Sequence, residues 1–205
     1  MTSALLLLLV AYLLGSLSGS LLLGRFRGVD IRTQGSGNAG GTNALRTQGW
    51  KFALGTVLVD VGKGALAAWL ALRFGAGHDW LPYAAVLAAI CGHVWPVFHG
   101  FRGGKGAGTL IGGLLLLWPW ALVPVLSVWL LSLGLSGYVG LSTVLAVATL
   151  PVFALVPPVE TNRLAFGAIV AVLIAFTHRA NLARLRAGTE HRFERARFLR
   201  RRSTP

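Results

Sequence analysis

Charge and cysteine are both scarce in this sequence. Asp, Glu, Lys and Arg together make up 12% of the 205 residues, and only six residues are acidic. With a mean hydropathy of +0.68, the chain falls outside the range of soluble globular domains. The single cysteine, Cys91, excludes an internal disulfide framework and leaves no second thiol for a metal site.

Apolar residues account for 55% of the chain and form long runs. These runs lack the alternation of transmembrane barrel strands, so the sequence predicts an all-α, polytopic membrane helix bundle. We expect about seven spans, of which the fourth is short and glycine-rich. No Lys or Arg precedes the first run, which we therefore expect to be retained and not cleaved as a signal peptide. The predicted spans are 4–23, 52–74, 82–98, 107–118, 120–136, 138–157 and 164–177.

Basic residues are concentrated on one side of the predicted membrane. With the N-terminus outside and the C-terminus in the cytoplasm, cytoplasmic segments carry sixteen of the nineteen Lys and Arg residues. We interpret 178–205 as the basic cytoplasmic tail of a single domain, 1–205. The net charge of +13 then reflects topology and attraction to anionic inner-leaflet lipids, and not nucleic-acid binding. The tail is expected to form an interfacial helix with an apolar edge of Leu182, Leu185, Phe193 and Leu199.

A first glycine motif, "GSGNAGGTNALR" at 35–46, begins as G-x-G-x-x-G. That fingerprint binds dinucleotides only inside a βαβ unit, whereas here it follows an apolar span and a short basic segment. It can instead form an anion nest, in which backbone N–H groups, short polar side chains and an arginine hold phosphate. A flexible loop that only sets topology is the alternative. The candidate residues are Gly35, Ser36, Gly37, Asn38, Thr42, Asn43 and Arg46.

A second glycine motif, "GHVWPVFHGFRGGKGAGT", spans 92–109. It is not a nucleotide-binding P-loop, because His99 stands where that motif needs glycine and Gly106 where it needs Ser or Thr. Both glycine loops face the cytoplasm in the predicted topology. Two anion nests on one membrane face indicate a phosphate-bearing substrate, or two of them. The candidate phosphate-binding residues here are Gly103, Gly104, Lys105 and Gly106.

A third polar group follows the last predicted span. His178 and Asn181 stand three residues apart, so a helix would place them on one face. Beside two anion loops, the histidine is a candidate base or hydroxyl orienter, and an ordinary interfacial role is the alternative. We expect Glu190 to pair with a nearby arginine.

Two charges lie inside the second predicted span, where each needs a partner or a function. Asp60 and Lys63 are three residues apart, and mutual neutralisation is the preferred interpretation. The alternative is that Lys63 contacts a bound phosphate. His93, at the end of the third span, is similarly open between a ligand contact and an interhelical hydrogen bond.

Together these motifs resemble the PlsY family of bacterial membrane glycerol-3-phosphate acyltransferases, which use acyl phosphate. Residues 35–46 match G-S-G-N-x-G-x-T-N-x-x-R, 92–106 match G-H-x-x-P-x-F-x-x-F-x-G-G-K-G, and 178–190 match H-x-x-N-x-x-R-x-x-x-G-x-E. Residues 60–64 fit a D-x-x-K-G element. The departures are slight: Gly41 stands where alanine is expected, and 106–109 carry smaller residues than the family tends to have.

The resemblance implies acyl transfer from acyl phosphate to the 1-hydroxyl of glycerol 3-phosphate, which yields lysophosphatidate and phosphate. It implies a multi-pass protein of the bacterial inner membrane whose site opens to the cytoplasm, with no cofactor and no metal. Ser36, His178 and Asn181 are then expected to orient or deprotonate the hydroxyl, while Arg46, Lys105 and the glycine loops hold phosphate. A covalent acyl-serine at Ser36 and proton transfer to the substrate phosphate are open alternatives.

This mechanism requires the three polar patches to converge at the inner membrane boundary. A transporter for an organic phosphate is the rival function, but it would place its cations nearer mid-membrane and show repeat-like halves. A purely structural lipid-binding protein would not need three clustered polar motifs. No obligate protein partner is inferred.

Overall fold

A computed structural model describes residues 2–75 and 77–198, and within these ranges the regular secondary structure is helical, without strands. The all-α prediction is therefore confirmed for the described part of the chain. Leu199 of the predicted interfacial helix and the last arginines lie outside the described residues. The α-helices are α1 (Thr2–Gly15), α2 (Gly19–Arg27), α3 (Gly41–Gln48), α4 (Trp50–Phe74), α5 (Leu81–Val94), α6 (Ala107–Leu117), α7 (Leu122–Ser136), α8 (Val139–Phe153), α9 (Thr161–Thr177) and α10 (Arg179–Arg186).

Three continuous helical segments are long and apolar enough to cross a membrane: Trp50–Phe74, Leu81–His99 and Pro119–Ser136. Two bent pairs, α1 with α2 and α9 with α10, raise the number of candidate spans to five. Helices α6 and α8 have 11 and 15 residues. At a rise of 1.5 Å per residue they extend about 16 and 22 Å, short of a hydrocarbon core of about 30 Å. The count of seven spans and the orientation of the termini stay predictions.

The first apolar run was predicted as the single span 4–23. In the structure it forms two helices. Helix α1 ends at Gly15, α2 begins at Gly19, and the two axes differ by 43°. A Cβ atom on Gly15 would overlap the backbone of Ala89 in α5, and one on Gly19 would crowd Thr56 in α4. The two glycines thus let the broken segment approach its neighbours, which is how helices pack closely in membranes.

The chain divides into two compact units, Met1–Pro119 and Trp120–Pro205. In the first, α4 packs against α1, α5 and α6, while α2 and the short α3 also contact α4. In the second, α8 packs against α7 and α9, and α10 contacts α8 and α9. The interpretation of 1–205 as a single domain stays a prediction.

The tail does not continue as the predicted interfacial helix. Helix α10 ends at Arg186, and Gly188 adopts a left-handed φ of 70° that turns the chain back. The Phe193 N–H then donates to the Gly137 carbonyl at 2.7 Å, and the Phe198 N–H donates to the Gly134 carbonyl at 2.9 Å. The prediction for Phe193 is therefore wrong, because hydrogen bonds to the carbonyls at the end of α7 keep this segment from continuing as an α-helix.

Candidate active site

The first motif folds into a loop that the side chain of Asn43 holds together. Its Oδ1 accepts the Ser36 N–H at 2.9 Å, and its Nδ2 donates to the carbonyls of Ile31 and Gln34 at 3.1 and 3.0 Å. Asn43 is 1% exposed. Both protons of its amide are therefore used within the loop. The side chain has no further donor for the predicted contact with phosphate.

The other predicted residues of the first motif frame this loop. Gly35 and Gly37 have φ values of 55° and 71°, and a Cβ on Gly35 would overlap Asn43 Oδ1. Ser36 is exposed, whereas Asn38, Thr42 and Arg46 are half-buried. Thr42 and Arg46 stand four residues apart on α3 and so share a helix face.

The second motif folds back on the end of α5. The N–H groups of Gly103 and Gly104 donate to the carbonyls of Val94 and His93 at 3.1 and 3.0 Å. These two glycines therefore shape the loop, because their own N–H groups are already engaged. Lys105 is half-buried, and Gly106, with a φ of 89°, leads directly into α6. The helix places its positive N-terminal end next to this lysine.

The first and second loops are joined within the first unit. Arg32 Nη1 donates to the carbonyls of His99 and Arg102 at 2.8 and 3.2 Å. Its guanidinium also pairs with Asp30 at 2.7 Å, and the hydrogen bond from Arg32 holds the pKa of the Asp30 carboxyl below its usual range. A Cβ on Gly104 would also crowd the Ala39 carbonyl. The predicted convergence of the two glycine motifs is therefore present in the structure.

Behind the second loop lies a buried polar cluster of Asp60, Lys63 and His93. Lys63 Nζ lies 3.1 Å from Asp60 Oδ1 and 2.7 Å from His93 Nδ1. It also donates to the carbonyls of Gly15 and Leu17 at 2.8 and 3.0 Å. The structure thus favours neutralisation of Lys63 by Asp60, the preferred interpretation of that pair, and an interhelical hydrogen bond for His93, the second of its two alternatives.

The third motif belongs to the second unit. His178, which is buried, lies with Nδ1 at 2.8 Å from the Ile174 carbonyl. Since a carbonyl only accepts, Nδ1 carries a proton, and in the neutral form of the ring the lone pair is on Nε2. Asn181 Nδ2 and Arg184 Nε donate to Glu190 at 2.6 and 2.7 Å. The pairing of Glu190 with an arginine is confirmed, and convergence of this motif with the first two stays a prediction.

Within 2–75 and 77–198, no group of three or more His, Cys, Asp and Glu side chains is placed to hold a metal ion. Asp60 and His93 lie together, but the ammonium of Lys63 is part of the same cluster.

Comparison with known proteins shows the family of this chain. A sequence model of the family described as "Glycerol-3-phosphate acyltransferase" matches residues 5–188. The chain belongs to the glycerol-3-phosphate acyltransferase family. A glycerol-3-phosphate acyltransferase of Synechococcus sp. (strain CC9902) is 44% identical over 192 residues, which cover 93% of this chain and 95% of that protein. One of Geobacter sulfurreducens is 40% identical over 196 residues and is covered along its whole length.

Two solved structures of this acyltransferase family share the fold. They are crystal structures of PlsY (YgiH), an integral membrane glycerol 3-phosphate acyltransferase. The glycerol 3-phosphate form has a TM-score of 0.87 and 36% identity over 93% of this chain and 96% of that chain. The lysophosphatidic acid form has a TM-score of 0.85 and 35% identity, covering 93% and 95% of the two chains. The chain is thus an integral membrane protein of the PlsY family.

Arg32 and Asp30 help to join the two loops, but the sequence motifs did not predict this role. Arg32 is one of the sixteen basic residues assigned to the cytoplasmic side, and no role was predicted for Asp30. The spacing D-x-R was the available signal, since an aspartate two residues before an arginine can cap a turn and orient the guanidinium. The carbonyls of His99 and Arg102 that Arg32 reaches lie 67 and 70 residues further along the chain.

Proposed function

We propose that this member of the family transfers a fatty acyl group from acyl phosphate to the 1-hydroxyl of glycerol 3-phosphate. The products are 1-acyl-glycerol 3-phosphate, that is lysophosphatidate, and inorganic phosphate. The observation that carries the proposal is the junction of the two glycine loops, which Arg32 ties together through the carbonyls of His99 and Arg102. Both substrates carry phosphate, and two joined loops that bear Arg46 and Lys105 suit a pair of anions.

The chemistry needs alignment and charge stabilisation more than a strong nucleophile. An acyl phosphate is an activated mixed anhydride, so holding the hydroxyl against its carbonyl can supply much of the rate, with effective molarities of about 10⁵–10⁸ M. Arg46, Lys105 and the N-terminal turn of α6 would hold the phosphates and neutralise the departing one. The attacking hydroxyl adds to the carbonyl carbon, the bond from that carbon to the phosphate oxygen breaks, and phosphate leaves.

The proton of the hydroxyl needs an acceptor. We propose that His178 accepts it or orients the hydroxyl, because its Nδ1 is engaged by the Ile174 carbonyl and Nε2 carries the lone pair. Asn181, which Glu190 holds in place, would orient the same hydroxyl. Ser36 is exposed on the first loop and is proposed as a third orienting group.

The membrane supplies the acyl donor in this proposal. The apolar faces of the helices would accommodate the acyl chain from the inner leaflet, while glycerol 3-phosphate enters from the cytoplasm of a bacterial cell. Anionic lipids would attract the basic segment that begins at α10.

The test uses purified protein in lipid nanodiscs, supplied with glycerol 3-phosphate and either an acyl phosphate or an acyl-CoA. Formation of lysophosphatidate from the acyl phosphate alone supports the proposal. Use of acyl-CoA only would refute the donor assignment. Uptake of glycerol 3-phosphate into sealed vesicles without product would show a transporter.

Arg46→Ala and Lys105→Ala provide the matching test of the site. Each should abolish turnover in folded protein, because each removes a cation that the reaction needs on its phosphates. Arg25→Ala and Lys51→Ala remove exposed positive charges nearby in the sequence, so they serve as controls and should stay close to wild-type activity. Near-normal rates for both site variants would contradict their assigned roles.

A further inference from the structure

The buried cluster of Asp60, Lys63 and His93 connects the broken first span to the second glycine loop. Lys63 binds the carbonyls of Gly15 and Leu17, which lose their helical partners where α1 ends. Asp60 Oδ1 accepts the Gly19 N–H at 3.1 Å, on the other side of the same break. Buried ions at membrane depth are costly, so an arrangement that satisfies both sides of a helix break gives them a reason to be there.

The protons of Lys63 determine the state of His93. A lysine ammonium has three protons and no lone pair. Its contacts with the Gly15 carbonyl, the Leu17 carbonyl and His93 Nδ1 are all 3.0 Å or shorter. His93 Nδ1 must therefore accept, which leaves the proton of the neutral imidazole on Nε2. The reverse assignment would aim an Nδ1 proton at the ammonium, with the Asp60 carboxylate 3.4 Å away and beyond good hydrogen-bond distance.

The other side of the His93 ring meets the second loop. A Cβ on Gly104 would overlap His93 Nε2, so the ring lies directly against the Cα of this glycine. The Gly104 N–H donates to the backbone carbonyl of the same histidine at 3.0 Å. The same Cβ on Gly104 would also crowd the Ala39 carbonyl of the first loop. His93 therefore holds Gly104 by its backbone and its side chain, where the two loops meet.

We propose that Asp60 and Lys63 are positioning residues that lock His93 in the Nε2–H tautomer and thereby fix the second glycine loop against the first. Lys63 acts through His93 and not on substrate, because its three protons are directed to protein acceptors. The kinetic consequence rests on the proposed function: a loop that is no longer fixed should bind glycerol 3-phosphate more weakly. The tautomer itself is independent of any reaction.

The first experiment reads the tautomer in wild-type protein. Protein labelled with ¹⁵N-histidine is reconstituted in lipid, and the His93 signals are identified by their loss in His93→Gln. The expected result is a protonated Nε2 and an unprotonated Nδ1. A proton on Nδ1, or protons on both nitrogens, would overturn the proposal, and this measurement needs no cluster variant to fold.

The second experiment uses Lys63→Met, which keeps the length of the side chain but removes its protons. The unprotonated Nδ1 signal should be lost or averaged with its alternative, and KM for glycerol 3-phosphate should rise about tenfold with a much smaller change in kcat. That factor is the size expected when one hydrogen-bonded contact to the substrate is weakened. Asp60→Asn should shift KM in the same direction.

Thr56→Val is the matched control. Thr56 is fully buried on the same helix, and its hydroxyl donates only to the Phe52 carbonyl one turn earlier. It should leave both the His93 signals and KM unchanged. Unaltered His93 signals in Lys63→Met would refute the tautomer lock. An equal fall of kcat in Lys63→Met, Asp60→Asn and Thr56→Val would show that the cluster has only a structural role. Absence of acylation by the wild-type protein would instead refute the proposed function and leave the tautomer result standing.

Discussion

Replacing Asn43 with alanine separates two roles for this side chain, holding the first loop or binding phosphate. The substitution removes three hydrogen bonds, to the Ser36 N–H and to the carbonyls of Ile31 and Gln34. Each contributes about 1 kcal/mol net, and the site is buried, so we expect a loss of about 3 kcal/mol. For a protein of this size each kcal/mol moves Tm by about 2–4 °C, which gives a fall of about 6–12 °C.

Asn43→Asp makes the comparison sharper. The carboxylate keeps an acceptor for the Ser36 N–H but turns its second oxygen toward two carbonyls, which repel it. We expect it to lose at least as much stability as the alanine variant. The assay is thermal unfolding in lipid nanodiscs, followed by glycerol 3-phosphate kinetics below the lowered Tm. Asn38→Ala, a neighbouring and only half-buried amide, is the control and should melt close to the wild-type temperature.

The opposite pattern would refute this reasoning. If Asn43 binds phosphate and does not hold the loop, both variants should melt like wild type while KM for glycerol 3-phosphate rises, and most strongly for the anionic Asp. An unchanged Tm in Asn43→Ala would by itself refute the reasoning, because three hydrogen bonds of a buried side chain cannot be removed without a stability cost.

Three further outcomes are expected. Gly104→Ala should abolish most activity, because its Cβ would overlap an imidazole, whereas Gly62→Ala, with open space around the glycine, should keep wild-type rates in the same assay. Glu190→Gln should lower the free energy of unfolding by about 2 kcal/mol, measured by thermal or denaturant unfolding, because it removes the charge from a buried carboxylate that binds two donors. With the native cysteine replaced by alanine, Ser36→Cys and Asn181→Cys should be joined by a short thiol crosslinker if the motifs converge, and failure with linkers of every length would contradict convergence.

Local patterns were sufficient where an interaction is encoded by nearby residues. Asp60 and Lys63 stand one helical turn apart in an apolar run, so their ion pair follows from helix geometry. The pairing of Glu190 with an arginine likewise needed only a short turn after α10. The location of the glycine loops between apolar segments could be predicted in the same way, because the length of an apolar run indicates whether it can cross the membrane.

Contacts between segments that are distant in the sequence could not be predicted from local patterns. The break between α1 and α2 occurs in a stretch of Leu, Ser and Gly that is apolar enough for one span, and the lysine that satisfies it lies 46–48 residues away. The tail failed for a related reason: its apolar spacing fits a helix, but Gly188 and the carbonyls at the end of α7 divert the chain. In both cases a tertiary hydrogen bond outweighs local propensity.

In the glycine loops, several of the N–H groups predicted to bind an anion have partners within the protein. A nest was predicted to bind anions with its own N–H groups, yet those of Ser36, Gly37, Gly103 and Gly104 are engaged by acceptors within the protein. The glycines are needed for shape, because positive φ values and close approaches such as that of Gly104 to the His93 ring exclude a side chain. The positive charge for a phosphate must then come from cationic side chains and the first turn of α6. Substrate affinity should accordingly weaken with ionic strength, as it does for charge-dominated sites.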